Sequence, residues 1–515
     1  MTRNYDTFMT LPQLNRTPGE MWMYVTFLFV IYALYTLWDY VRIYRFVFTL
    51  NGPKTVPILG NANALLEKNL MQRFANEKSD YGRIFRIWVI FLPYVVLIEP
   101  EDIQVVLSSM KHTRKVGFYR LLNNFIGKGL ISLEVDKWKV HRKILQPAFH
   151  LHVLKSFIAT FSECADHLVN KLLERNGEEV NLTVFINNSV YDILLETILG
   201  ISASRGDNNS KADMPFGKGQ FMAIQRFVRP WLLINWIYRL TEAGKMEQQQ
   251  QKNLINFCCR KMKEKQEFLQ KNSSLIVEDE SDAPIKKITL LEYMIKINEK
   301  NPSFIEQDII EECCTFMLAG MESVSTSTAL TLFLLALNRN WQERCIAELD
   351  EIFGDDRRSP TMQDLKEMKC LEMCIKESLR LYPSVPLFAR VLGEDVRIGK
   401  QIIPAGCGIF ILPYSTHRLP NHFPDPHDFK PERFSPENSK GRHPYAYLPF
   451  SAGPRDCIGQ KFAILEMKSI ISAILRRCRL ESICGKEEVI PKFRMTIRVH
   501  GGLWVKVKPR DECNY

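Results

Sequence analysis

Cys457 stands in the run Phe450-Ser-Ala-Gly-Pro-Arg455-Asp-Cys457-Ile-Gly459, with turn-forming residues before it and an apolar stretch at helical spacing, Ile458 through Ile474, after it. A thiolate presented this way can be an axial ligand to haem iron, where it pushes electron density toward the metal and favours O–O cleavage. The spacing F-x-x-G-x-R-x-C-x-G is long and exacting. The bland alternative is an inert buried cysteine ahead of a helix. A second group of chemical interest, Ala319-Gly320-Met321-Glu322-Ser323, falls in the middle of the strongest helical periodicity, Ile305–Leu337. A glycine, an acid and a hydroxyl are locally unfavourable inside a helix, which points to a purpose. On this reading the glycine leaves space for dioxygen beside iron, and Glu322 and Ser323 relay the protons that O–O cleavage needs.

Two further motifs carry charge. Glu377-Ser-Leu-Arg380 places an acid and a base on one helix face, and Pro431-Glu-Arg433-Phe434 offers a second arginine in a proline-fixed loop. A carboxylate shared by two guanidiniums is a structural clamp and a poor proton shuttle. Trp138-Lys-Val-His141-Arg142 puts a tryptophan and an arginine four residues apart, suited to gripping a haem propionate. His417, His422, His427 and His443 cluster in sequence, but intervening prolines and the missing i, i+4 geometry make them loop-packing residues before metal ligands. Thirteen cysteines, an odd number without C-x-x-C pairs or zinc-type spacing, read as reduced thiols in a cytosol-facing domain. The adjacent pairs Cys258-Cys259 and Cys313-Cys314 read as buried and inert.

These residues need elements to position them. At 515 residues, 46% hydrophobic and 24% charged, the chain is an ordinary globular composition without internal repeat. Net charge is +10 with the basic residues dispersed and no nucleic-acid motif; an anionic membrane or an acidic protein partner explains the excess as well, and the charge alone decides nothing. Met21–Trp38 is uncharged and close to the ~20 residues a spanning helix needs, with no small-residue cleavage site after it. A modest positive-inside bias orients residues 1–20 to the lumen, 21–40 across the membrane, and the basic, proline-rich strut of residues 41–61 to the cytosol, ahead of one large domain over residues 62–515. The sequon Asn15-Arg-Thr17 is too near the membrane to be used. Strand-like alternation at Arg83–Trp88, Tyr94–Ile98, Val396–Ile403 and Gly408–Leu412 interrupts a mostly helical chain, and Lys271–Lys287 reads as a loop. The C-terminus reads as a hairpin of Arg494–Val499 with Leu503–Val507 about His500-Gly501-Gly502. The fold class is mainly α with small β-sheets.

In this order the four motifs resemble the cytochrome P450 superfamily of haem-thiolate monooxygenases over nearly the whole chain. The resemblance implies haem b between the long central helix and the cysteine loop, Cys457 as axial ligand, and Trp138, Arg142, Arg390 and Arg455 near the propionates. It further implies Phe450 beside the sulfur and Gly459 in the cofactor loop. Anchor and strut look like those of microsomal members of the endoplasmic reticulum, which take electrons from NADPH–cytochrome P450 reductase, with cytochrome b5 as a second donor. Glu312-Cys-Cys-Thr315-Phe316-Met317-Leu-Ala319-Gly320-Met-Glu322-Ser323-Val324 is similar to the central-helix signature of family 4, whose members hydroxylate fatty acids or related lipids. Gly129-Leu130, Trp138 to His150 and Leu379 to Pro386 share the likeness. The chain departs from that family at Ala319, where many members carry the glutamate that esterifies a haem methyl, so haem should be non-covalent. Glu322-Ser323-Val324 replaces the usual D-T-T. Expected substrate walls are Lys115–Gly129, Phe216–Trp236, Leu318–Ser323, Val385–Arg390 and Arg498–Leu503, and Lys137, Lys139, Lys143 and Lys461 form an expected basic face for the reductase. A haem-binding protein without turnover, and a haem-thiolate isomerase or dehydratase acting on peroxides, are the alternatives.

Overall fold

Long stretches of 3.6-residue periodicity, broken by short β-branched runs, leave the chain little choice but helices around small sheets. The computed structural model describes residues 18–67, 70–175, 177–202, 226, 229–272 and 288–510. Asn15, Phe216 and most of Lys271–Lys287 lie outside them.

The first helix, α1 (Pro18–Phe48), has none of its apolar window buried. Two other helical spans are long and apolar enough to cross a membrane, but 61% and 78% of their windows lie inside the protein. Of the three, α1 alone presents its apolar surface outward. It does not stop at residue 40. Its last turns dock on the body: Tyr40 donates to the Phe91 carbonyl, Arg42 pairs with Asp395, Tyr44 meets Trp88 edge-on at 5.1 Å, and Val47 is fully buried. The first part of the expected strut is therefore helix, because Ile43, Phe46 and Val47 keep helical spacing past the charges that ended the apolar run.

Seven more helices carry the argument: α2 (Val135–Leu145), α3 (Ile158–Leu173), α4 (Leu182–Leu194), α5 (Glu306–Leu337), α6 (Arg339–Phe353), α7 (Lys369–Leu381) and α8 (Gln460–Arg477). At 32 residues α5 is about 48 Å long. Its first turn is closed by the Asp308 carboxylate, which accepts the Ile305 N–H at 3.2 Å. From Val324 to Ala336 every residue is buried, so it is an interior helix with neighbours on all sides. α2 is tied to it by a buried polar contact: Glu312 takes the His141 ring at 2.6 Å and the Leu130 N–H at 3.0 Å. One apolar core runs from Leu70 to Val507, joining both halves of the chain.

The main sheet has the order β1 (Ile84–Val89), β2 (Leu92–Leu97), β7 (Gly408–Ile411), β4 (Phe388–Val391), with β2 and β7 parallel. Val396–Ile403 is a small hairpin, β5 (Val396–Ile398) with β6 (Gln401–Ile403). The C-terminal hairpin differs from the sequence expectation. β9 (Pro491–Arg494) pairs with β10 (Thr496–Val499) about Met495, whose φ is +68°. β11 (Trp504–Pro509) joins β3 (Glu179–Asn181) and β8 (Cys478–Ser482) instead. Gly501 and Gly502 bend the chain between two sheets, so the glycines that read as a hairpin turn are a crossover.

Candidate active site

Cys457 is presented from the turn just before α8. Its N–H donates to the Phe450 carbonyl at 3.0 Å, closing the loop on itself. Ser451 and Gly453 supply positive φ. At Gly453 a Cβ would fall 1.8 Å from the Leu107 carbonyl oxygen, so only glycine fits. Arg455 pins the loop from within, donating at 2.6 Å to each of the Thr113 and Leu133 carbonyls with its guanidinium 4.8 Å from the Trp138 ring centre. Arg142 holds the residue before the cysteine, reaching the Asp456 carboxylate at 2.6 Å and its carbonyl at 2.8 Å. Burial pushes the Cys457 thiol up; the Gly459 N–H opposes this, Asp456 adds to it and Arg142 opposes it. Left to itself this sulfur is a neutral thiol, whereas a coordinating metal deprotonates it outright.

The loop forms one wall of a cavity of about 630 Å³. Opposite it, α5 contributes Leu318, Ala319, Gly320, Glu322 and Ser323. Trp138, Arg142, Arg390, Phe450, Arg455 and Gly459 line the same space. Glu322 is almost fully buried and contacts Arg498, with the Thr496 hydroxyl donating at 3.5 Å. Burial raises its pKa above the ordinary carboxylate range, against the Arg498 charge that lowers it. The Ser323 hydroxyl donates to the Ala319 carbonyl one turn back at 2.7 Å. Ser384 donates to the Ser323 carbonyl at 3.1 Å, fastening this turn of α5 to the strand side of the cavity.

Gly320 has another physical reason than the one inferred from its position. A Cβ there would stand 2.7 Å from Leu194 Cδ2, so the missing side chain lets α4 press against α5.

Lys115, Arg390 and Arg455 converge at one end of the cavity. Burial lowers all three pKa values, and the charges depress one another: Arg390 and Arg455 act on Lys115, and Arg390 acts on Arg455. Among the described residues no carboxylate forms an ion pair with any of them, and Arg455 Nε is buried without a partner. Three cations held together in an apolar wall suit an anionic group. The residues present thus fit haem: Cys457 would hold its iron, and Lys115, Arg390 and Arg455 would receive its propionates.

Below the loop, Glu377 and Arg380 of α7 are both fully buried and joined by two bonds of 2.7 and 2.8 Å. Arg433 Nε stands 3.4 Å from the same carboxylate, which also accepts the Lys430 N–H at 2.9 Å. Arg380 spends its remaining donors on the carbonyls of His417, Pro426 and Asp428. His417 is part of this frame: its Nε2 accepts the Leu448 N–H at 2.7 Å, and burial holds it neutral, its pKa pushed down to about 3.

Several expectations need correction. Arg142, expected at a propionate, lines the cavity and also pairs with Asp456. Nothing from Arg498–Leu503 lines the cavity; Phe493, Met495 and Thr496 do, because the hairpin turns earlier than the glycines indicate. Lys137 is not a free surface cation, since it pairs with the buried Asp308. Lys115 and Tyr119 lie in the expected wall Lys115–Gly129, but the sequence does not show the cationic grouping of Lys115 with Arg390 and Arg455, the Asp456 contact of Arg142, or the partnership of Arg498 with Glu322. No local pattern marks them.

A thiol loop facing an acid-bearing helix across an apolar cavity with a basic rim defines a haem-thiolate protein. Comparison with known proteins carries this further. The family model described as Cytochrome P450 matches residues 50–502. Probable cytochrome P450 4aa1 of Drosophila melanogaster is 49% identical over 93% of this chain and 94% of its own length. Cytochrome P450 4c3 of the same organism is 39% identical over 91% of both chains, and human cytochrome P450 4V2 is 35% identical over 89% of both. The chain belongs to the cytochrome P450 family, is similar to its family 4, and is a P450 monooxygenase.

Proposed function

We propose that the protein hydroxylates an apolar, lipid-like substrate, taking electrons from NADPH through a membrane-bound diflavin reductase, with cytochrome b5 as a second donor. The observation that carries this reading is the mostly apolar lining of the cavity beyond the Cys457 loop and the basic rim, where Phe118, Leu318, Leu387, Phe388, Phe493 and Met495 face the same space.

Haem b, held by Cys457, would supply dioxygen activation, the hard chemistry that side chains lack. The chain's own residues do the rest. The amide of Gly459 steadies the sulfur's charge. Lys115, Arg390 and Arg455 receive the propionates. Ala319 carries no carboxylate, so the cofactor is held without an ester bond. Glu322 takes a proton from the solvent side near Arg498 and passes it toward Ser323, whose hydroxyl turns from the Ala319 carbonyl into the cavity. Phe118, Phe388 and Phe493 offer apolar walls that orient a chain-like substrate and exclude water.

The apolar α1 and the family-4 relatives support a membrane-attached enzyme. We assign it to the endoplasmic reticulum with the body on the cytosolic side and residues 1–20 in the lumen. The test is purified enzyme reconstituted with the reductase. Reduced protein with carbon monoxide should show the red-shifted Soret band of thiolate ligation, and lipids that perturb that spectrum should yield oxygenated products in an NADPH-dependent reaction. Product formed from a hydroperoxide without NADPH or oxygen would refute the proposal. Acidified organic solvent should extract all the porphyrin.

A further inference from the structure

Three thiols meet outside the cavity lining and play no part in the chemistry above. Cys345 lies on α6, and Cys370 and Cys374 lie one turn apart on α7. Cys345 Sγ is 3.6 Å from Cys374 Sγ and 3.7 Å from Cys370 Sγ, and all three sulfurs are within 4.8 Å of one another. Among the described residues no other group of three His, Cys, Asp or Glu side chains has this spacing. Around one ion with metal–sulfur bonds of about 2.3 Å, sulfurs stand about 3.8 Å apart in a tetrahedral site and about 4.0 Å in a trigonal one. Two of the three separations are already close to these values and the third is no more than 4.8 Å, so the donors need only small adjustments.

The surroundings define the ion. Cys345 and Cys374 are fully buried, while Cys370 is half-buried and opens a route from solvent. Among the described residues no imidazole or carboxylate joins the sulfurs. The neighbouring Glu348 carboxylate is occupied by the amides of Cys370 at 2.5 Å and Leu371 at 3.0 Å. An all-sulfur donor set selects soft cations over calcium, magnesium or manganese. We propose that Cys345, Cys370 and Cys374 form a three-thiolate binding site for a soft d10 cation. Cu(I) is complete with three sulfurs, and Zn(II) adds a water as its fourth ligand. Binding releases to solvent the proton of each thiol that carries one, with no change of oxidation state. The ion would rivet α6 to α7 one turn before Glu377, so occupancy stabilises the helix that carries the clamp.

The experiment uses full-length, haem-loaded enzyme, in which Cys457 is engaged. It is titrated anaerobically with Cd(II), read by thiolate-to-metal charge transfer in the ultraviolet, and with Cu(I) against a competing chelator. One ion should bind per chain. Cys370→Ser, at a half-buried position, should weaken binding by more than about 100-fold, and the Cys345→Ala/Cys374→Ala pair should abolish it. Cys484→Ser, exposed elsewhere, and Cys258→Ser, which breaks the separate 3.7 Å contact with Cys314, should leave it unchanged. The carbon monoxide spectrum reports that each variant is folded. A wild type without the charge-transfer band, a band undiminished in Cys370→Ser, or one lost in Cys258→Ser would overturn the site.

Discussion

Gly320→Ala separates two explanations of one glycine. The added Cβ would lie 2.7 Å from Leu194 Cδ2, 3.2 Å from Cδ1 and 3.5 Å from Cγ. Carbon atoms pack best at about 3.5–4.0 Å, so the leucine must retreat by about 1 Å into a filled core. Overpacking of that size costs about 1–3 kcal/mol, while alanine gains about 1 kcal/mol over glycine within a helix. The net is a loss of about 0–2 kcal/mol. Leu194→Val removes the colliding methyl and by itself costs about 1 kcal/mol. In the double variant the collision is gone and the helix gain remains, giving a coupling of about 1–3 kcal/mol between the positions. Urea midpoints of the haem-loaded enzyme, followed at the Soret band, measure all four corners of the cycle. Leu194 also lines the cavity, so the single Gly320→Ala variant should convert less of its NADPH into product, and Leu194→Val should restore the yield. Zero coupling in stability, with product yield falling equally in both backgrounds, would refute the steric argument and return the glycine to the role of dioxygen space.

Glu377→Gln leaves Arg380 and Arg433 facing a neutral amide in a fully buried site, a loss of about 3–5 kcal/mol, and the carbon monoxide spectrum of purified protein should show little bound haem. Glu466→Gln should do the opposite. Glu466 is fully buried, neither of its side-chain oxygens has a hydrogen-bond partner among the described residues, and burial raises its pKa well above the ordinary value. Its contribution is therefore fully present below the ordinary carboxylate pKa and is lost as pH rises through the folded-state value, so the urea midpoint of the wild type should fall over that window while Glu466→Gln stays level and is the more stable at pH 7. Arg498→Gln removes the cation that opposes burial at Glu322, so the carboxyl titrates higher still. The pH profile of turnover should move to higher pH with the spectrum of bound haem unchanged.

The cysteine loop was legible because its signal is compact: Phe450, Gly453, Arg455, Cys457 and Gly459 fall within ten residues. The partners that explain them are distant, since Gly453 answers to the Leu107 carbonyl and Arg455 to Thr113 and Leu133. The central helix was equally plain, since apolar residues recur at helical spacing in its first half and the run Val324–Ala336, buried on all sides, carries no charge. The acid's partner was not. Arg498 is 176 positions from Glu322, on a strand whose register depends on a turn at Met495, a residue with no turn signature. The same holds for Lys115, which looks like any lysine until the sheet brings Arg390 beside it. The three thiols escaped a search by spacing because two come from one helix face and the third from a helix 25 and 29 residues earlier. Residues that meet across folded elements obey tertiary distance, and no periodicity records it.

The charges of the cavity imply that folding and cofactor loading are one process. Burial lowers the basicity of Lys115, Arg390 and Arg455, and Arg390 depresses the other two further, so bringing these cations together adds to the cost of burying them. The loop that holds Cys457 depends on one of them, since Arg455 supplies the donors for Thr113 and Leu133. A protein that keeps these cations in place without an anion between them gives up stability at the very residues that shape its thiol loop. Two carboxylates of a bound porphyrin reverse that sign, and ligation of the sulfur removes the burial penalty on its charge. Binding free energy is then spent partly on structure. The apoprotein should accordingly be less stable first around residues 113–133 and 450–459, where amide hydrogen exchange would quicken on haem removal while the Glu377–Arg380 frame, which neutralises itself internally, keeps its protection. Uniform loss of protection across both regions would break the argument.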